Sequence, residues 1–150
     1  MGVEIERKFL VRDEGWRAAA GPPVAIRQGY LSRQPGRTVR IRLAGDEAFL
    51  TIKGSGSLER AEFEYPIPPD DALALMELCE PGVIDKDRYR VPAGPLVWEV
   101  DVFGGDHEGL ILAEVELPSA DTPVDLPAWV GEEVTGDDRY TNAVLSRPPS

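Results

Sequence analysis

The sequence predicts a mainly β fold: an eight-stranded antiparallel closed β-barrel with a polar interior and a few flanking helices. Three observations predict it. Strand-like runs follow one another closely and are joined by short turns. Nearly every run alternates apolar with ionisable residues. Acidic pairs spaced i, i+2 occur four times, at Glu4/Glu6, Glu62/Glu64, Glu99/Asp101 and Glu114/Glu116, with basic or mixed sets on the strands between. For one strand, alternation means one face in water and one on a core. Repeated this regularly, it points to a closed wall whose inner side is the charged one. Eight strands leave room inside for side chains and a small ligand.

The first run, residues 2–11, is "GVEIERKFLV". Val3, Ile5, Phe9 and Val11 share one face, with Arg7 as the intruder, and Glu4, Glu6 and Lys8 share the other. Acids and bases in a row are poor choices for a strand face, which leaves two readings of this one strand: a face that is simply wet, or one that holds something charged. A short helix is possible around "EGWRAAAG". The second run, 25–33, places Gln28, Tyr30 and Ser32 together; Arg33 falls near its end, outside the charged set, where its replacement is expected to do little. Residues 37–44 and 47–54 follow, joined by the turn "AGDE", with Arg40 and Arg42 on one strand and Thr51 and Lys53 on the next. Past "GSGS", residues 58–67 carry Arg60, Glu62 and Glu64 opposite Ala61, Phe63 and Tyr65.

"PPDDALALMELCEPG" reads as a helix with proline and aspartate at its start and a Pro-Gly stop, and Cys79 near its end reads as core packing. Residues 83–91 alternate Lys86, Arg88 and Arg90 with Asp85, Asp87 and Tyr89. Residues 96–103 oppose Glu99 and Asp101 to Trp98, Val100 and Val102; residues 110–118 oppose Glu114 and Glu116 to Ala113, Val115 and Leu117. The turn between these two, "GGDHEG", holds His107, the sole histidine, read as a solvent-exposed loop residue. "GDDRYTNAVLS" reads as a closing helix with an aspartate N-cap, followed by a short polar tail, "RPPS". Trp16, Trp98 and Trp129 read as packing residues.

With 150 residues, the chain is expected to form one domain over residues 1–150. A net charge of −11 argues against nucleic acid as the main partner, but leaves room for a small polyanion in a local basic pocket. One cysteine makes no internal disulfide, which fits a cytoplasmic location. No apolar run reaches membrane-spanning length, and the start lacks the apolar core of a signal peptide, so no membrane association is expected. A Ser/His/Asp triad is improbable with a single histidine, and "KGSGS" lacks the spacing of a phosphate-cradling loop.

The residue types define a chemistry. Carboxylates without a His or Cys cluster select a hard cation, Mg²⁺ or Mn²⁺. Rows of Arg and Lys supply forked and point contacts to phosphate oxygens. Together they describe a site for a metal-bound polyphosphate. An apolar-ligand barrel would need apolar inward rows instead.

The ordered set "EIERKFL", "RIR", "LTIKG", "RAEFEYPI", "KDRY", "WEVDVF", "LAEVEL" and "DDRYTNAVL" resembles the CYTH domain, or triphosphate tunnel metalloenzyme, family, over nearly the whole chain. The resemblance implies a tunnel open at both ends. It implies Glu4, Glu6, Glu114 and Glu116 as metal-side carboxylates, and Lys8, Arg40, Arg42, Lys53, Lys86 and Arg88 as the phosphate grip. Arg60, Glu62, Glu64, Glu99 and Asp101 complete the lining. Arg60 belongs with the substrate-binding set; the four acids are catalytic candidates that pair with the basic rows or support a second metal. Arg139 either reaches one mouth of the tunnel as a further substrate contact or simply starts the last helix. The activity implied is metal-dependent hydrolysis of tripolyphosphate or a related small-molecule triphosphate, as in the family's stand-alone bacterial members. An adenylyl cyclase of class IV, a thiamine or RNA triphosphatase and a non-catalytic polyphosphate-binding module are the alternatives, and a homodimer is possible.

Overall fold

The computed structural model describes residues 2–148. Nine strands form, β1 (Gly2–Val11), β2 (Val24–Ser32), β3 (Arg37–Ala44), β4 (Glu47–Gly54), β5 (Glu59–Pro66), β6 (Ile84–Ala93), β7 (Leu96–Phe103), β8 (Ile111–Glu116) and β9 (Val130–Glu133). The first eight close into an antiparallel barrel: β5 to β2 run in reverse order, then β6, β7, β8 and β1, and β1 returns to β5. The eight strands expected from alternation are therefore all present, and the closed barrel is the fold. The β3–β4 and β6–β7 hairpins each turn on two residues, the first being Gly45 or Gly94 with φ near +60°, the backbone that tight hairpins require.

The ninth strand is one the alternation reading lacks. It lies beside the C-terminal half of β1, pairing Phe9 with Glu133 and Val11 with Val130, while β5 pairs with the N-terminal half, Gly2 to Ile5. Four residues are too few for a periodic pattern to stand out. This strand accounts for Arg7, whose guanidinium forks onto the Glu133 carboxylate at 2.9 and 2.8 Å.

Two apolar cores lie outside the barrel wall. Phe9, Trp98, Val100, Ala113 and Val115 line the outer face of β1, β7 and β8, and Trp16 and Trp129 close over this side of the wall from the flanking loops. Helix α1 (Pro69–Met76) covers the outer face of β2–β4, where Ile41, Ala48 and Ala72 are buried and Cys79 packs. The outer faces of β4 and β5 keep Ile52, Phe63 and Tyr65 exposed. The short helix expected around "EGWRAAAG" forms as a 3-10 helix, Gly15–Ala19.

At one end, the barrel departs from a tunnel open at both mouths. Leu10, Ile84, Phe103 and Leu112 fill this end and pack against Val134, Tyr140 and Leu145 of the C-terminal segment. That segment is not one helix: a 3-10 turn, Asp138–Tyr140, breaks at extended Thr141, whose hydroxyl caps a one-turn helix α2 (Asn142–Leu145). Of the expected polar tail, Pro149 and Ser150 lie outside the described residues.

Two side chains correct the sequence reading here. Arg33 is buried. It donates to Ser146 Oγ at 2.8 Å, to the carbonyls of Pro81, Gly82 and Ser146, and pairs with Glu80. It thus ties the loop before β6 to the C-terminal segment, and its replacement cannot be the minor event expected for a strand-end residue. Gly82, at φ +99°, permits this contact, because a Cβ there would collide with the Ser146 carbonyl. His107 is half-buried in a 3-10 turn and its Nε2 contacts the Leu145 carbonyl, so it is not a free loop residue.

Candidate active site

Strand alternation turns the charged rows inward. Across the wall, Glu6 faces Glu116, Lys8 faces Glu114, Glu4 faces Arg60, Lys53 faces Glu62, Arg88 faces Asp101 and Glu99 faces Glu114. These rows enclose a cavity of about 540 Å³ open to solvent. It is lined by Glu4, Glu6, Arg40, Arg42, Lys53, Glu62, Glu64, Arg88, Glu99, Glu114, Glu116 and Asn142. All but Asn142 were singled out by the sequence.

The charges are layered. Glu62 and Glu99 are partly exposed, and Glu64 and Glu116 are exposed, at the open mouth. Arg40, Arg42 and Lys53 are buried within. Most of the buried cations meet carboxylates. Lys53 Nζ lies 2.9 Å from Glu4 and 3.4 Å from Glu62, and Arg60 lies 3.4 Å from Glu4. Burial alone would raise the Glu4 carboxyl; Lys53 and then Arg60 outweigh it and hold it below its ordinary value. Arg40 lies 3.6 Å from Glu64 and also donates to Thr51 Oγ1.

Glu6 and Glu114 differ from this pattern. Burial, with the nearby Glu114 and Glu4 charges, pushes the Glu6 carboxyl well above the usual carboxylate range. Glu114 is held well below it, because Lys8, Arg88 and Lys86 overcome the burial cost. The two acids crowd each other inside the wall, and the basic residues act more strongly on Glu114 than on Glu6. Glu116 is raised more modestly by burial and by Glu4, Glu62 and Glu99.

Five sequence candidates, Lys8, Arg60, Lys86, Asp101 and Arg139, sit away from, or beside, this cavity. Lys8 lines an adjacent recess with Glu6, Arg60 and Thr141, and its ammonium donates to the Tyr140 carbonyl at 2.9 Å. Lys86 and Asp101 are buried on the inner side of the wall, below the cavity lining. Their 2.6 Å ion pair is completed by a two-pronged bond from Arg88 at 2.7 and 2.9 Å, and Lys86 also donates to Asn142 Oδ1. Burial pushes the Lys86 ammonium down to about 7 against the pull of Asp101. Burial would raise Asp101, but Lys86 and Arg88 hold it at about 2. Arg139 is largely exposed and clamped to Asp137 at 2.7 Å, outside the cavity lining.

Sequence reasoning left several interior residues unassigned. Tyr30, Thr38 and Thr51 line a second recess with Arg40, Lys53 and Arg60. Their signal was in the alternation, which set them beside the charged rows. Asn142 had no such signal, because only the fold of the C-terminal segment brings it over the barrel.

A closed antiparallel barrel with a charged interior, an acidic mouth and buried bases and acids within, defines a binding site for a highly charged small anion. The CYTH domain family matches residues 2–141, and the chain belongs to that family. It is 43% identical to an inorganic triphosphatase of Acetivibrio thermocellus over 99% of this chain and 96% of that protein. It is 41% identical to an inorganic triphosphatase of Nitrosomonas europaea, over 96% and 97%. Among solved structures, the inorganic triphosphatase NE1496 is similar with a TM-score of 0.69 and 36% identity, covering 100% of this chain and 99% of that one. The PH1012 protein from Pyrococcus horikoshii shares the fold at TM-score 0.64 and 18% identity, over 79% and 80%. Among the described residues, no helix is long and apolar enough to cross a membrane.

Proposed function

We propose that this protein hydrolyses inorganic triphosphate, or a close triphosphate relative, in a divalent-metal-dependent reaction. The observation that carries the reading is a buried donor left over inside an acid-rimmed cavity. Arg40 lines the cavity, its Nε is buried with no hydrogen-bond partner among the described residues, and such a donor calls for an acceptor. A polyphosphate supplies many. The cavity lining contains no aromatic or apolar side chain on which a nucleobase would stack, which favours an inorganic chain over a nucleotide. The curated relatives' activity supports the same reading.

Water attacks the terminal phosphorus, the bridging P–O bond breaks, and orthophosphate and pyrophosphate leave. Arg40, Arg42, Lys53 and Arg88 hold the phosphate oxygens and offset charge that builds on the leaving group. Glu62, Glu64 and Glu99, at the solvent side, are placed to orient the water and accept its proton. No covalent nucleophile is required.

The acidic mouth would repel a bare polyanion and admit a cation-neutralised one. Among the described residues, no three Asp, Glu, His or Cys side chains converge as a ready-made metal cage. Mg²⁺ does not need one, since it commonly uses one or two carboxylates together with water and substrate phosphates. Glu6 and Glu114 fit that demand: they line the same cavity from adjacent strands, and a cation between them would offset their like charges. Glu4 and Glu116 flank them. When bound, Mg²⁺ or Mn²⁺ supplies charge neutralisation and a more acidic water.

The test is a phosphate-release panel with tripolyphosphate, ATP, thiamine triphosphate and pyrophosphate, with Mg²⁺ or Mn²⁺ and again in EDTA, plus an assay for cyclic AMP. Tripolyphosphate is expected to be the best substrate, with activity lost in EDTA. Cyclic AMP formation, or full activity in EDTA, would overturn the respective part.

A further inference from the structure

Gln28 lies in mid-β2 and is fully buried. Its strand neighbours are Arg42 and Ile84, both on the inner side of the wall, so its side chain is inside the barrel. Its Oε1 accepts from Arg42 Nε at 2.7 Å. That bond dictates which way the amide lies, because a guanidinium only donates and must be met by the oxygen. The NH₂ is thereby turned away from Arg42, and it has no partner among the described residues.

The choice of a neutral amide has a consequence for charge. Lys8, Arg40, Lys53, Arg60, Lys86 and Arg88 each have a carboxylate within 4.0 Å. Arg42 has none among the described residues. A glutamate at position 28 would reach it equally well and bind it more tightly. The amide instead holds the guanidinium in place while leaving its charge uncancelled.

We propose that Gln28 is a positioning residue: it holds Arg42, which lines the cavity, without neutralising it. The inference rests on the triphosphatase reading above. Held by a neutral amide, Arg42 keeps its full charge for a phosphoryl group, a charge that a carboxylate at position 28 would cancel.

The experiment compares the wild-type protein with Gln28→Glu and Gln28→Met in steady-state tripolyphosphate hydrolysis and thermal unfolding. Gln28→Glu keeps the contact to Arg42 and is expected to melt at or above the wild-type temperature. It is also expected to lose roughly 100-fold or more in kcat/KM, because Arg42 is cancelled. Gln28→Met, which keeps the length but no polar atom, is expected to lose on the order of tenfold, chiefly through KM. A merely structural glutamine would not part stability from activity in this way. Either folded variant within about twofold of wild-type kcat/KM would overturn the proposal, and so would failure of both to fold, which would make Gln28 a brace. A wild-type protein that leaves tripolyphosphate intact would instead overturn the functional reading.

Discussion

Two parts of the barrel wall carry the same residue types to opposite ends. On β6 and β7, Lys86 and Arg88 close on Asp101, and every charge has its counter-charge. On β2 and β3, Arg40 is matched only by an exposed Glu64, and Arg42 meets a neutral amide. The first arrangement is self-sufficient, and taking it apart strands buried charges. The second is left short of negative charge until an anion arrives. Burial and the nearby Arg40 and Arg88 push the Arg42 guanidinium down to about 9, a sign of how poorly it is compensated. Alternation alone does not separate the two walls; the identity of the cross-strand partner does.

The largest expected effect breaks the self-sufficient side. Asp101→Ala leaves Lys86 and Arg88 without a shared partner in a buried site, and removal of one member of such a set costs about 3–5 kcal/mol. A urea or thermal melt is expected to record a drop of about 10 °C or more. Wild-type stability in this variant would mean that the triad contributes nothing to the fold.

Arg42→Met tests the other side. It keeps the apolar stem and removes the uncompensated charge, so the melting temperature is expected to stay level or rise. The kcat/KM for tripolyphosphate is expected to fall about tenfold to a thousandfold, equivalent to roughly 2–4 kcal/mol of lost charge-assisted contact. Arg42→Lys should recover part of this, since a point charge lacks the planar fork. A variant that lost stability and activity in proportion would erase the contrast between the walls.

Arg33 sharpens the comparison from outside the barrel. It is a buried cation with a full set of acceptors, as Arg88 is, but it faces the C-terminal segment. Arg33→Ala is expected to cost about 2–3 kcal/mol in chemical denaturation by orphaning buried carbonyls. Amide exchange should rise first at residues 141–146. Exchange that rose evenly throughout the protein would show that Arg33 is not a local clasp.

The smallest effect needs no mutation. Asp101 is held at about 2, below its ordinary 3.8, so its ion pairs add stability that is fully present above about pH 4. As the pH falls from about 4 through 2, the folded carboxylate takes up its proton and this contribution disappears. The loss is about 2 kcal/mol. In Asp101→Asn the acid limb of a stability-against-pH curve should be shallower between those values; an unchanged limb would assign acid unfolding to other carboxylates.

Much of this protein was legible from residue order. The period-2 alternation is a local property, and it decided which side chains of Glu4, Glu6, Arg40, Arg42, Glu62, Glu64, Glu114 and Glu116 would share a surface, because successive strand residues point to opposite sides. What alternation cannot decide is who stands opposite whom. Register and strand order placed Asp101 between Lys86 and Arg88, and Gln28 against Arg42. Long-range packing decided the rest. Leu10, Leu112 and Leu145 closed one end, β9 gave Arg7 its partner, and the C-terminal turn buried Arg33 and brought Asn142 over the cavity. These contacts join residues about 100 positions apart, and no local pattern encodes their meeting.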